Sequence, residues 1–223
     1  MPPLAADRYP FAPGSLAPAS QAPALSGRYP QYREVLDWLS EFITRPDPGV
    51  GRPGAVCPRV TPALERDMVW LVAIPVTASS GAEAAEKAIR LAGLFRDLFP
   101  GPEEARAAAL LAVFPGLDPQ RAGTFIDGAH TALRTRYTHA GLMLGGFHPA
   151  RAGTAVRNPR FPVWRCPAAG LAVRAMSPHD LMFLDRPGPG GDTVLFHYLR
   201  HLPDAPGAAG LRERTASPAG AAR

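Results

Sequence analysis

Val35, Leu36, Leu39, Phe42 and Ile43 recur at helical spacing with Glu34, Asp37 and Glu41 opposite them, which predicts a helix over 32–44. Arg45-Pro46-Asp47-Pro48-Gly49 ends it, and Trp38 falls on the edge of its apolar face. Residues 50–62 form an irregular Gly/Pro loop that carries Cys57. Met68 to Val76, MVWLVAIPV, is a continuous apolar run rich in β-branched and aromatic residues and predicts a buried strand. Pro75 places that strand at an edge or ends it. Ser80 with Glu83 three residues later has the capping-box spacing. A helix over 82–99 follows, and Pro100-Gly101-Pro102 stops it.

The apolar run 107–114 predicts a second strand, although its alanines also suit a helix. Asp118 as N-cap with Pro119 at the first position opens a helix over 119–134. Its inner face is Phe125, Ile126, Ala129 and Leu133, and His130 beside that face reads as structural. Thr135 to His139 reads as a polar link, Leu142 to Leu144 as the third strand and Leu171 to Arg174 as the fourth. Ser177-Pro178 starts a short helix with Leu181, Met182, Phe183 and Leu184 buried. Gly188 to Gly191 is a flexible break, and Asp192 caps a last helix over 193–202.

The resulting order, α β α β α β β α α, predicts an α+β fold: a single mixed sheet of about four strands covered by helices on a face. Residues 1–27 are rich in Pro and Ala, with few large apolar residues to bury, and are expected as a disordered arm. Residues 203–223 have similar composition and are expected as a disordered tail, which leaves one domain over 28–202.

Composition narrows the function classes. The net charge is +5, which raises nucleic acid as a partner. Lys87 is the only lysine, however, and the arginines are scattered without a basic run or interleaved aromatics. Nucleic acid is therefore not expected as a partner. No apolar run is long enough to cross a membrane, and no leader is visible at the N-terminus, so a cytoplasmic protein is expected. Cys57 and Cys166 form neither a CxxC nor a zinc pattern. Nucleotide-binding glycine loops, a nucleophile elbow and HExxH are absent.

The remaining chemistry lies in AGLMLGGFHPARAGTAVRNPRFPVWRCP, residues 140–167. An apolar run ends in Gly145-Gly146, and Phe147-His148-Pro149 follows. Histidine there is a metal ligand or acid/base group, or else a turn residue bonding a carbonyl, and both readings stand on chemistry alone. Arg151, Arg157, Arg160 and Arg165 are the tightest arginine grouping and suit a small anionic ligand.

The segment LMLGGFHPARAGTAVRNPRF, with the Pro/Cys loop GRPGAVCPRV at 51–60 upstream, resembles the strand-plus-Gly-x-His-Pro element of the YqcI/YcgG-like proteins. The chain also looks like a small actinobacterial family built on this pair of motifs. The likeness spans about residues 30–185 and is strongest around His148. It departs in the later RNPRFPVWRCP and in its shorter length. The resemblance implies a haem-dependent oxygenase that oxidises the nitrogen of an amine or guanidino compound in natural-product biosynthesis. His148 would then be the axial ligand of haem b, with Cys166 as rival and Cys57 and His139 ranked lower. Arg151, Arg157 and Arg160 would pair with the propionates. Phe147, Leu142, Leu144, Phe161 and Trp164 would wall the porphyrin and Gly145-Gly146 would let it approach; each of these side chains equally suits ordinary core, the better reading for Leu142 and Leu144. Asp180 and Asp185 are candidates to hold the substrate cation. Dioxygen or peroxide, a redox partner and a second copy in a homodimer complete the expected partners. The alternative is a non-catalytic accessory module of a biosynthetic cluster, without cofactor.

Overall fold

The structure, a computed structural model, describes Tyr9, residues 11–184 and residues 191–216. Residues 11–27, expected as a disordered arm, belong to the fold. Ala17–Pro18 (β1) pairs antiparallel with Val69–Ala73 (β2). The Ser15 hydroxyl donates to the Ala73 carbonyl at 3.3 Å, and the Tyr32 hydroxyl donates to the Ser15 carbonyl at 2.5 Å. Ala17, Ala19 and Ala22 are small enough to be buried whole, and Phe11, Leu16 and Leu25 pack part-buried against the cores.

Gln31–Trp38 (α1) continues into a π turn, Leu39–Ile43, and Val60–Glu65 (α2) leads into β2. Gly81–Leu98 (α3) starts where expected: the Ser80 hydroxyl accepts from the Glu83 backbone N–H at 3.2 Å. The Glu83 carboxylate reaches past the cap to the N–H groups of Thr77 and Ala78, each at 2.9 Å. Pro102–Ala107 (α4) precedes Ala109–Val113 (β3), which pairs parallel with β2 across the α3 crossover. Asp118 accepts from the Gln120 N–H at 2.8 Å and opens the turn into Ala122–His139 (α5). Thr135 to His139, expected as a link, completes this helix, because Tyr137 and Thr138 are buried on it.

Leu142–Phe147 (β4) ends at the glycine pair and its phenylalanine. The chain then makes a hairpin absent from the expectation, Thr154–Ala155 (β5) with Asn158–Pro162 (β6), before Gly170–Ala175 (β7). The main sheet runs β1-β2-β3-β7-β4, and β7 is antiparallel to both of its neighbours. The mixed α+β sheet is as expected, with five strands because β1 joins its edge.

Side chains alternate across the sheet and build a core on each face. Val72, Ile74, Leu110, Leu142, Leu144, Leu171 and Val173 meet α3 and α5 on one face. Leu71, Ala73, Leu111, Val113 and Phe147 meet α1, α2 and the N-terminal segment on the other. A third cluster closes the C-terminal end through Leu181–Leu184 (α6), Gly191–His201 (α7) and Ala208–Ala216 (α8). Within α6 only Leu184 is buried; Met182 and Phe183, expected inside, are exposed because one turn presents only one face to the core. The ordered α8 likewise corrects the tail expected over 203–223 as far as residue 216, and residues 217–223 lie outside the described residues. Residues 188–190 of the expected Gly-rich break lie outside the described residues. Helix α7 begins at Gly191 and takes in Asp192.

Candidate functional site

β4 is the outermost strand beyond β7, and α5 packs along it. That contact places Gly123 and Asp127, one helical turn apart, beside the residue that follows β4. A Cβ on Gly123 would sit 3.6 Å from His148 Cε1, so this turn of α5 is thin where the imidazole lies. His148 is only 3% exposed. Its backbone N–H donates to the Trp164 carbonyl at 3.3 Å, and its carbonyl accepts from the Arg151 N–H at 3.1 Å. These bonds fix the turn after the strand, and Pro149 restricts it further.

The His148 Nε2 lies 3.2 Å from Asp127 Oδ1. A carboxylate only accepts, so the ring proton sits on Nε2 and Nδ1 carries the lone pair. Burial lowers the pKa of His148 below its ordinary value and favours this neutral form. Arg151 Nη1 contacts the same Oδ1 in an ion pair. The Arg151 side chain is largely buried, whereas that of Asp127 is 48% exposed. The result is a neutral imidazole oriented by a carboxylate whose countercharge is an arginine on the following turn. Such a group can ligate a metal through its free nitrogen or exchange a proton.

The other expected site residues part from this cluster. Arg151 is committed to Asp127, whereas Arg157 and Arg160 are exposed on the β5–β6 hairpin, which lies against the Pro48–Val50 turn. There the Asn158 amide donates to the Gly49 carbonyl at 2.8 Å, and Arg157 packs on Gly51. Sequence proximity misled here because the hairpin carries its arginines away from the end of β4. Phe147 is 1% exposed and packs on Trp38 with ring centroids 5.3 Å apart, so it is core rather than the wall of a pocket. Leu142 and Leu144 are core on the α5 face, and Phe161 packs against Phe42.

The space over Gly145-Gly146 is filled by the protein. A Cβ on Gly145 would meet Trp164 at 3.5 Å, and one on Gly146 would meet Ile126 Cγ2 at 2.7 Å. The glycine pair therefore answers to packing of α5 and the Trp164 segment.

Cys166 is buried, and burial pushes its thiol up to about 12, which keeps it protonated while no metal is bound. Asp180 is 1% exposed and structural: it accepts from the Ser177 N–H and from Arg174 Nη1, each at 2.7 Å. Asp185 lies outside the described residues. His130 is pulled down by burial and faces the Leu144 carbonyl, in keeping with a structural role. A cavity of about 380 Å³ lies in the loop lined by Pro46, Asp47, Pro48, Arg52, Pro53 and Gly54. Its charged groups are engaged within the loop, Asp47 by the Gly49 N–H and Arg52 by the carbonyls of Pro53 and Val56.

Asp127 is the member of the cluster that sequence reasoning missed. The available signal was a polar residue one turn after Gly123 on the helix that packs against the strand leading to His148.

No helix among the described residues is long and apolar enough to cross a membrane. No curated protein matches the chain, and no solved structure matches it. A family model, a domain of unknown function designated DUF6875, matches residues 32–207, which takes in both faces of the sheet and the Asp127–His148–Arg151 cluster. The chain belongs to the DUF6875 family.

Proposed function

We propose that the end of β4 is the chemical centre of the domain and that the protein is a haem-dependent oxygenase of an amine or guanidino nitrogen, with His148 as the iron ligand. The observation that carries this reading is the buried, neutral imidazole whose Nε2 leans on Asp127 at 3.2 Å. Histidines that bind metals characteristically give their second ring N–H to a carboxylate, which fixes the tautomer and raises the basicity of the ligating nitrogen. The imidazole taken alone therefore suits an iron ligand. The groups expected to cradle the macrocycle do not contribute, since Phe147 and the faces of both glycines are packed by protein.

In this reading His148 presents Nδ1, Asp127 holds the ring orientation, and Arg151 supplies the countercharge to Asp127. Bound haem would supply a redox-active iron at which dioxygen or peroxide is activated for transfer of oxygen to nitrogen. Arg157 and Arg160 remain exposed and able to meet an anionic group or an acidic redox partner. A cytoplasmic setting and a biosynthetic role belong to the same proposal.

A second reading, a non-catalytic accessory module, is favoured by the filled space over Gly145 and Gly146. Absorbance separates the two. Protein expressed with a haem precursor is expected to show a Soret band that His148→Ala loses, followed by N-oxidation of amine or guanidine substrates. A colourless protein that takes up no added hemin overturns the oxygenase reading and leaves the module.

A further inference from the structure

Three histidines meet where α7 lies against the C-terminal end of α5, away from the cluster at the end of β4. His197 and His201 are one turn apart on α7 and so share a face of the helix. The rings of His139 and His197 stand edge to face with centroids 4.6 Å apart. His201 Nε2 lies 2.9 Å from the His139 carbonyl, so it carries the proton and donates. The His201 ring also lies on Gly141, where a Cβ would come within 3.0 Å of Nδ1. Gly141 has φ 72°, a conformation that favours glycine and turns the chain from α5 into β4.

An edge-to-face pair aims one ring at the other rather than two nitrogens at a shared point, so the arrangement is not a chelate. No metal-holding group of three His, Cys, Asp or Glu occurs among the described residues. The contact suits neutral rings. His197 Nδ1 is buried without a hydrogen-bond partner, so a proton there would be a buried donor with no acceptor.

The groups facing His197 are His139 from α5 and Arg200 and His201 from its own helix. Arg96 of α3 is held at the Ala140 carbonyl, one residue beyond His139. α6 carries no ionisable residue, Arg212 of α8 is bonded to the Pro203 carbonyl, and Asp204 is exposed after the end of α7.

We propose that His197, packed edge to face on His139, is an acid-sensitive clasp that holds α7 against α5 while its imidazole is neutral and releases the helix when that ring is protonated. Burial first, then His139, Arg200 and His201, lower the pKa of His197 below its ordinary 6.5. The unfolded or undocked helix therefore binds the proton more readily. Docking is at full strength above about pH 6.5 and weakens as pH falls through that value toward the lowered one.

The test is hydrogen exchange of the amides of 194–200 in the full chain, corrected for intrinsic rates, with NMR titration of the His197 ring. Expected are a His197 midpoint below 6.5 and opening of α7 that rises about tenfold for each unit of that depression once the pH is below the lowered midpoint. In His197→Phe, which keeps an aromatic ring but takes no proton, the rise is expected to shrink. A His197 midpoint at or above 6.5, or corrected exchange that does not change with pH, overturns the clasp. The ring titration needs no variant and decides the matter even if His197→Phe does not fold.

Discussion

Asp127 Oδ1 accepts from His148 Nε2 at 3.2 Å and is shared with Arg151, so one oxygen atom organises the imidazole and the turn that follows it. Asp127 is half-exposed, and Asp127→Asn is expected to leave the fold intact. An amide holds the ring more weakly than a carboxylate and leaves Arg151 without its countercharge. If His148 binds haem, the affinity for hemin is expected to fall about 10- to 100-fold in this variant, read by titration at the Soret maximum. Unchanged affinity would show that the carboxylate does not tune the ligand.

The glycine pair distinguishes packing by protein from packing by a ligand. At Gly145 an added methyl meets Trp164 at ordinary contact distance, so Gly145→Ala is expected to change stability by under about 1 kcal/mol. At Gly146 the added methyl falls 2.7 Å from Ile126 Cγ2, and Gly146→Ala is expected to cost about 1–3 kcal/mol. Ile126→Ala removes that methyl, so the double variant is expected to cost less than the sum of the two single ones in a denaturant cycle. Additive losses would place the strain elsewhere.

Local signals were legible in the sequence, and distant partnerships were not. Ser80 with Glu83 and Asp118 with Pro119 marked their helix starts because a cap is decided within four residues. The strands β2, β3, β4 and β7 followed from apolar runs. The β5–β6 hairpin was hidden by Pro159 and Pro162, which a two-stranded ribbon tolerates and a central strand does not. Residues 11–27 were hidden because alanine burial leaves no amphipathic pattern. His148 stood out by its neighbours, but Asp127 lies 21 positions earlier and joins it only when α5 packs on β4. The arginines after His148 looked like one cluster, and only the hairpin showed that Arg151 and Arg157 serve different surfaces.

Glu83 ties the end of β2 to the start of α3. Burial would raise its pKa, but the N–H groups of Thr77 and Ala78, with Lys87 and the Thr77 hydroxyl, outweigh that and bring it to about 2. A carboxylate depressed in the folded state contributes stability that is present above the ordinary value of 4.5 and is lost as pH falls toward 2. Glu83→Gln is expected to cost about 1–2 kcal/mol at pH 7 and to flatten the fall in thermal midpoint between pH 5 and pH 3, seen by circular dichroism. A parallel pH profile in the variant would assign the acid sensitivity to other carboxylates.

Asp180 is a buried charge whose partners are all in place: Arg174, the Ser177 N–H and the Ser177 hydroxyl. Although burial alone would lower the pKa of Arg174, Asp180 raises it above its ordinary value, and the pair fastens β7 to the turn before α6. Removing Asp180 leaves Arg174, whose side chain is 25% exposed, without its carboxylate and the buried Ser177 N–H without its acceptor, which costs more than the pair contributes. Asp180→Ala is therefore expected to destabilise by about 3–5 kcal/mol in urea, and Arg174→Met, which leaves Asp180 still bonded to Ser177, by less. If Asp180 instead held a substrate cation, its loss would abolish binding with little change in stability.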